Sequence, residues 1–97
     1  MLDLEYLKQF HRIKDVADII QEISKLDFLV QQNAWDAVDQ HLQDISQKHI
    51  VKKAVYNSVN QIPPQSPQQS AANCRQFLLA LGAKKIAEEL SKHQGGA

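Results

Sequence analysis

Few residues of this chain have side chains that could carry out chemistry, and their spacing matches no known reactive pattern. There is one cysteine, Cys74, and there are four histidines. Cys74 lies in an apolar stripe with Phe77 and Leu78, so it is predicted to be an inert buried residue. No histidine or cysteine pair has zinc-site spacing, and the chain has no glycine-rich phosphate loop, calcium loop or nucleophile elbow. The sequence therefore predicts no catalytic residue, no metal site and no cofactor.

His41 is the histidine with acidic neighbours on its own predicted helix. Asp36 and Asp44 lie five residues before it and three residues after it. Two interpretations fit this spacing equally well. In one, His41 meets one of these carboxylates on the helix surface; in the other, all three are solvated polar residues.

Charge is distributed unequally along the chain, although the formal net charge is zero. Residues 1–47 hold nine acidic and four basic residues, a balance of −5, and residues 48–97 hold two acidic and seven basic residues, a balance of +5. The default interpretation is that the two halves neutralise each other in the fold, because surface charges mostly serve solvation. The alternative is an acidic surface that attracts a basic partner.

The alternative interpretation predicts a partner-binding acidic face on helices of the first half. Its six residues are Asp15, Asp18, Glu22, Asp36, Asp39 and Asp44. The basic half suggests a less favoured function, nucleic-acid binding through Lys48, Lys52, Lys53, Arg75, Lys84 and Lys85. It is less favoured because the chain has two arginines, zero net charge and no recognition helix beside a glycine turn.

Composition and periodicity predict an all-α fold to position these residues. Hydrophobic residues make up 43% of the 97 residues and aromatic residues 6%, with three glycines and three prolines. This leaves few turns of the kind that sheets of short strands require. We expect residues 1–97 to form one compact domain of five to seven short helices, with α-hairpins packed as an orthogonal bundle or a short superhelix.

Capping residues and apolar spacing divide the first half into four predicted helices. Asp3 is the expected N-cap of the first helix, and a break near residues 11–14 precedes a second helix over about 16–24. The apolar stripe that continues through this break favours the competing interpretation, one helix. Asp27 is expected to cap a short third helix over residues 28–32.

Asn33 is predicted to form the turn before the fourth helix, because asparagine tolerates the left-handed backbone. That helix should run from Trp35 to about Ser46, antiparallel to the preceding one, with Trp35 buried between them. One long helix through Asn33 is the competing interpretation.

The second half is predicted to contain three helices and one exposed connection. The predicted segments are a helix over about 48–61, an exposed proline-rich loop over 62–69, a helix capped by Ser70 and ended by Gly82, a last helix over 83–92, and a disordered tail over 94–97. The residues expected at the centre of the core are Trp35, Leu42, Ile45, Val55, Phe77, Leu78 and Leu81.

A helical scaffold without a reactive constellation favours binding over catalysis. We expect a non-enzymatic protein-binding module, most concretely a small immunity- or antitoxin-type inhibitor of a basic toxin domain such as a nuclease. An adaptor or a secretion chaperone is the alternative of the same class. The acidic, amphipathic N-terminus is unlike a signal peptide, and the lone cysteine and short apolar runs predict a cytoplasmic protein with no membrane span.

Overall fold

The computed structural model describes residues 3–48, 51 and 66–95, and all regular secondary structure in these ranges is helical. The helices are α1 (Leu4–Lys8), α2 (Lys14–Gln31), α3 (Trp35–Ser46) and α4 (Pro67–Gly95). The all-α prediction is therefore confirmed. The described ranges contain four helices, fewer than the five to seven predicted for the whole chain. Helices α2 and α4 each unite two segments that were predicted to be separate, and most of the predicted helix over 48–61 lies outside the described residues.

Helix α1 begins as its capping residue predicts. The backbone N–H of Tyr6 donates to Asp3 Oδ1 at 3.0 Å. Glu5 lies in the first turn and Lys8 in the last, where their charges suit the helix dipole. The predicted break before α2 is also present: residues 9–13 form turns, in which the backbone N–H of Phe10 donates to the carbonyl oxygen of Leu7 at 2.9 Å.

Helix α2 is continuous over 18 residues, so the predicted break before residue 28 is wrong. Asp27 caps no helix; it lies inside α2. The physical reason is that nothing between Ser24 and Phe28 interrupts the apolar stripe. The inner face of α2 is fully buried along its length, through Val16, Ile19, Ile23 and Leu26.

The turn between α2 and α3 confirms the role predicted for Asn33. Its φ of 56° is left-handed. The backbone N–H of Ala34 donates to the carbonyl oxygen of Leu29 at 3.1 Å, and that of Asn33 donates to the carbonyl oxygen of Val30 at 3.0 Å. These two bonds form a Schellman motif with Asn33 at the left-handed position. One long helix through Asn33 is therefore excluded.

Helix α4 begins earlier and ends later than predicted. Ser66, and not Ser70, caps it, because Ser66 Oγ accepts a hydrogen bond from the backbone N–H of Gln69 at 3.1 Å. Pro67 occupies the first helical position, where its missing N–H costs nothing. Residues 67–69, predicted to belong to the exposed loop, are thus helical, and residues 94–95, predicted to belong to the disordered tail, lie within α4.

Gly82 does not end a helix, contrary to the prediction, and no described glycine has a positive φ. Gly82 instead allows α1 to approach α4 closely. A Cβ atom built on Gly82 would lie 2.5 Å from Cδ2 of Leu7, which is fully buried. The missing side chain therefore leaves the space in which α1 packs against α4.

The core lies around α2, which packs against each of the other three helices. Of the predicted central residues, Ile45 and Leu78 are fully buried. Those that are partly buried and pack against the core are Trp35, Leu42, Phe77 and Leu81. Trp35 is therefore not the centre, because it lies at the first turn of α3, beside the turn at Asn33. Val55 and most of the predicted helix over residues 48–61 lie outside the described residues.

Candidate partner-binding surface

The three acids of α2 that were predicted to face a partner are engaged within the chain. Asp18 Oδ2 lies 3.2 Å from Lys14 Nζ, one turn away on the same helix. Asp15 Oδ2 lies 3.7 Å from Lys85 Nζ, which belongs to α4. Glu22 has two partners, described below. The default interpretation of the charge asymmetry therefore describes Asp15 and Glu22, which meet cations of the second half, whereas Asp18 pairs with a lysine of the first half.

Glu22 joins α2 to α3 and to the residues that follow α3. Its Oε1 lies 3.4 Å from Lys48 Nζ, and its Oε2 lies 3.4 Å from His41 Nε2. His41 Nε2 is also 3.1 Å from the backbone carbonyl oxygen of Glu22. A carbonyl oxygen can only accept, so Nε2 must carry a hydrogen and donate it to Glu22.

Neither of the two interpretations predicted for His41, contact with an acid of its own helix or exposure to solvent, describes its position. It is 3% exposed, and it is the buried polar residue of the described part of the chain. Its hydrogen-bond partner is Glu22 on the neighbouring helix and not Asp36 or Asp44 on its own. With Nε2 engaged and the ring buried, His41 is placed to hold two helices together.

A third ion pair between the two halves was not predicted. Arg75 Nε donates to Asp27 Oδ1 at 2.9 Å and to Oδ2 at 3.2 Å, joining α4 to α2. Asp27 had been interpreted as a capping residue, and nothing in its local sequence indicates a partner 48 residues away. The ion pair could have been found only from the antiparallel packing of α2 and α4.

The three acids of α3 are arranged differently. Asp36, Asp39 and Asp44 are exposed, on the side of the helix opposite the buried Val38 and Ile45. In the described part of the chain, no cation lies within ion-pair distance of them. Asp44 Oδ1 accepts a hydrogen bond from Gln40 Nε2 at 3.1 Å.

Glutamines occupy the positions between these acids. Together they form the outer face of α3, defined by Asp36, Asp39, Gln40, Gln43, Asp44 and Gln47. At 100° per residue these positions cover rather less than half of the helix circumference. This face presents three negatively charged carboxylates and three glutamine amides, and both kinds of group can form hydrogen bonds from one rigid helix. The six-residue acidic face predicted from the sequence is thus divided, with three members neutralised on α2 and three left on the outer face of α3.

Most of the described basic residues of the second half are already paired. Lys48, Arg75 and Lys85 contact Glu22, Asp27 and Asp15, respectively. Lys84 is exposed on α4, and Lys52 and Lys53 lie outside the described residues. The basic residues proposed for nucleic-acid binding are therefore not brought together into one unpaired patch within residues 3–48, 51 and 66–95.

No cluster of three or more histidine, cysteine or acidic side chains that could hold a metal ion occurs in the described residues. Cys74 is fully buried in the core of α4, among Ala71 and Leu78. None of the described helices has an apolar stretch of the length needed to cross a membrane.

Comparison of the chain with protein families, with curated proteins and with solved structures finds no match. Function is therefore inferred from the surface of the molecule alone.

Proposed function

We propose that this chain is a non-enzymatic protein-binding module, and that the outer face of α3 is its binding surface. The most concrete form of this proposal is a small cytoplasmic inhibitor of the immunity or antitoxin type, bound to a basic toxin domain such as a nuclease. One observation supports it above the others: the carboxylates of Asp36, Asp39 and Asp44 have no cation beside them in the described chain, whereas those of α2 do.

Helix α3 is held in place by two contacts, which suits a binding surface. The helix is fixed at its start by the Schellman motif at Asn33 and along its inner face by the contact of His41 with Glu22. A surface held rigidly before binding loses little conformational entropy when a partner docks. Three uncompensated carboxylates attract a cationic partner over a distance comparable to the Debye length, which raises the association rate. The same carboxylates can occupy positions where a basic domain would bind phosphate oxygens.

An adaptor or a secretion chaperone would use the same outer face of α3, and the identity of the partner distinguishes it from an inhibitor. If the partner is toxic when expressed alone and co-expression of this chain restores growth, the inhibitor form is supported. If the partner is harmless alone but is lost from its assembly or from export without this chain, the adaptor or chaperone form takes its place.

Nucleic-acid binding is a weaker proposal, because it would require three of its described basic residues to leave their carboxylate partners. It would be supported by retention on immobilised heparin at moderate salt that is lost in the Lys52→Glu, Lys53→Glu double variant.

The test begins with recovery of the partner from the native host on the immobilised chain, followed by calorimetric titration of the purified partner. The Asp36→Lys, Asp39→Lys double variant is expected to weaken binding by about tenfold to a hundredfold, and more at low salt. A matched control with the same charge change is Glu5→Lys with Glu88→Lys, at exposed positions on α1 and α4. Equal losses for the two double variants would show that net charge alone matters and would reject the outer face of α3 as the site.

A further inference from the structure

A groove lies where the connection between α1 and α2 meets the C-terminal part of α4. It is open to solvent and has a volume of about 430 Å³. Its walls are formed by Gln9, Phe10, His11, Arg12, Ile13, Glu89 and Leu90. None of these residues belongs to α3, so this groove is a separate surface from the one proposed above.

Apolar side chains at this groove remain exposed to water. In the described part of the chain, three large hydrophobic side chains are more than a third exposed, and two of them, Leu90 (42%) and Tyr6 (37%), lie at this end of the molecule. Leu90 lines the groove. Tyr6 extends it, because its ring packs against that of Phe10 with 5.4 Å between centroids. Covering these side chains would remove apolar surface from water, which favours binding.

The charged residues around the groove indicate what kind of partner segment it can bind. Lys8 and Lys14, next to the groove, are paired with Glu5 and Asp18 on their own helices. On the opposite wall, Glu89 is paired with Lys92. Arg12 is exposed, and no described carboxylate lies within ion-pair distance of its guanidinium. Among the described residues, the uncompensated charge at the groove is therefore positive, and its complement is a carboxylate.

We propose that this groove docks a segment of a partner protein in which an apolar side chain adjoins a carboxylate. The apolar side chain lies between Phe10 and Leu90, and the carboxylate accepts two hydrogen bonds from the planar guanidinium of Arg12. Tyr6 and Arg12 are both exposed beside this partly apolar groove. Tyrosine and arginine are among the residue types that contribute most to the affinity of interfaces.

The test uses the full chain labelled with ¹⁵N and a short peptide of alternating leucine and glutamate. We expect amide shifts confined to residues 9–13 and 89–90. Two matched peptides, with glutamine or lysine in place of glutamate, should bind at least about tenfold more weakly. The Arg12→Glu variant should reverse this preference and bind the lysine peptide best. Lys25→Glu, an equal charge change at an exposed position of α2, should leave the preference unchanged.

Leu90→Ser separates the apolar contribution from the charge. Because Leu90 is partly exposed, the fold should persist, and all peptides should bind more weakly without a change in their order. The proposal is overturned if the glutamate and glutamine peptides bind equally well, or if Arg12→Glu acts no differently from Lys25→Glu. It is also overturned if the same amides shift with protein concentration alone and sedimentation shows a dimer, because a second copy would then be the occupant.

Discussion

At the residue scale, the contact of His41 with Glu22 shows how a group with reactive potential is used for structure. His41 Nε2 donates to the backbone carbonyl oxygen of Glu22 and lies 3.4 Å from Glu22 Oε2, and Lys48 Nζ lies 3.4 Å from Glu22 Oε1. Burial of a polar ring is tolerated because its hydrogen bond is made, and removal of the ring leaves both a cavity and a carboxylate with one partner fewer.

His41→Ala is therefore expected to lower the free energy of unfolding by about 2–4 kcal/mol, through the cavity and the lost hydrogen bond. Urea denaturation monitored by Trp35 fluorescence measures this change. Gln43→Ala, at an exposed position two residues along α3, is the control and should change stability by no more than about 0.5 kcal/mol. Equal stability of the two variants would mean that His41 does not hold α2 and α3 together.

Asn33 provides a second residue-scale prediction, because its left-handed φ of 56° restricts what can replace it. Asn33→Gly should be tolerated, with a change of stability below about 1 kcal/mol, since glycine adopts this conformation without strain. Asn33→Val should cost at least about 1–2 kcal/mol, because its branched side chain clashes there. Thermal denaturation followed by circular dichroism compares the two. A valine variant as stable as the glycine variant would contradict the Schellman motif.

At the scale of elements, Gly82 shows why two of the helix boundaries could not be predicted. Glycine near a helix end usually marks its terminus, and that local rule predicted a break. The space that Gly82 actually leaves is filled by Leu7, 75 residues earlier, and no local pattern reveals such a contact. The turn at Asn33 and the cap at Asp3 were predictable because each is formed by residues within five positions of it.

The packing of α1 on α4 makes Gly82→Ala a diagnostic substitution. Alanine is the better helix former by about 1 kcal/mol. Its Cβ would nevertheless overlap the buried Leu7, so the net effect should be a loss of about 1–3 kcal/mol. In a Leu7→Ala background, where space has been made, the same substitution should be neutral or stabilising. The free energies of unfolding of the four proteins in this double-mutant cycle give the coupling. Additive effects would contradict close packing of α1 on α4 at Gly82.

At the scale of the whole molecule, composition predicted that charges were separated along the chain, but it could not predict which of them would meet. Asp15 and Asp27 find cations of the second half because α2 packs against α4, and Glu22, at the middle of α2, meets Lys48 just beyond the end of α3. Asp36 and Asp39 have no such neighbour among the described residues, because they lie on the side of α3 that faces away from α2. Which acids remain uncompensated is therefore a property of the tertiary structure.

We propose that a protein partner binds the outer face of α3. Cross-saturation NMR tests it most directly: the purified partner, recovered on the native chain, is irradiated while the amides of the deuterated, ¹⁵N-labelled chain are observed. We predict that the strongest signal losses occur on the outer face of α3, around Asp36, Gln40, Gln43 and Asp44, and that the exposed face of α4 around Lys84 is unaffected. Losses confined to α4 or to the outer side of α2, with the α3 amides unchanged, would contradict the claim.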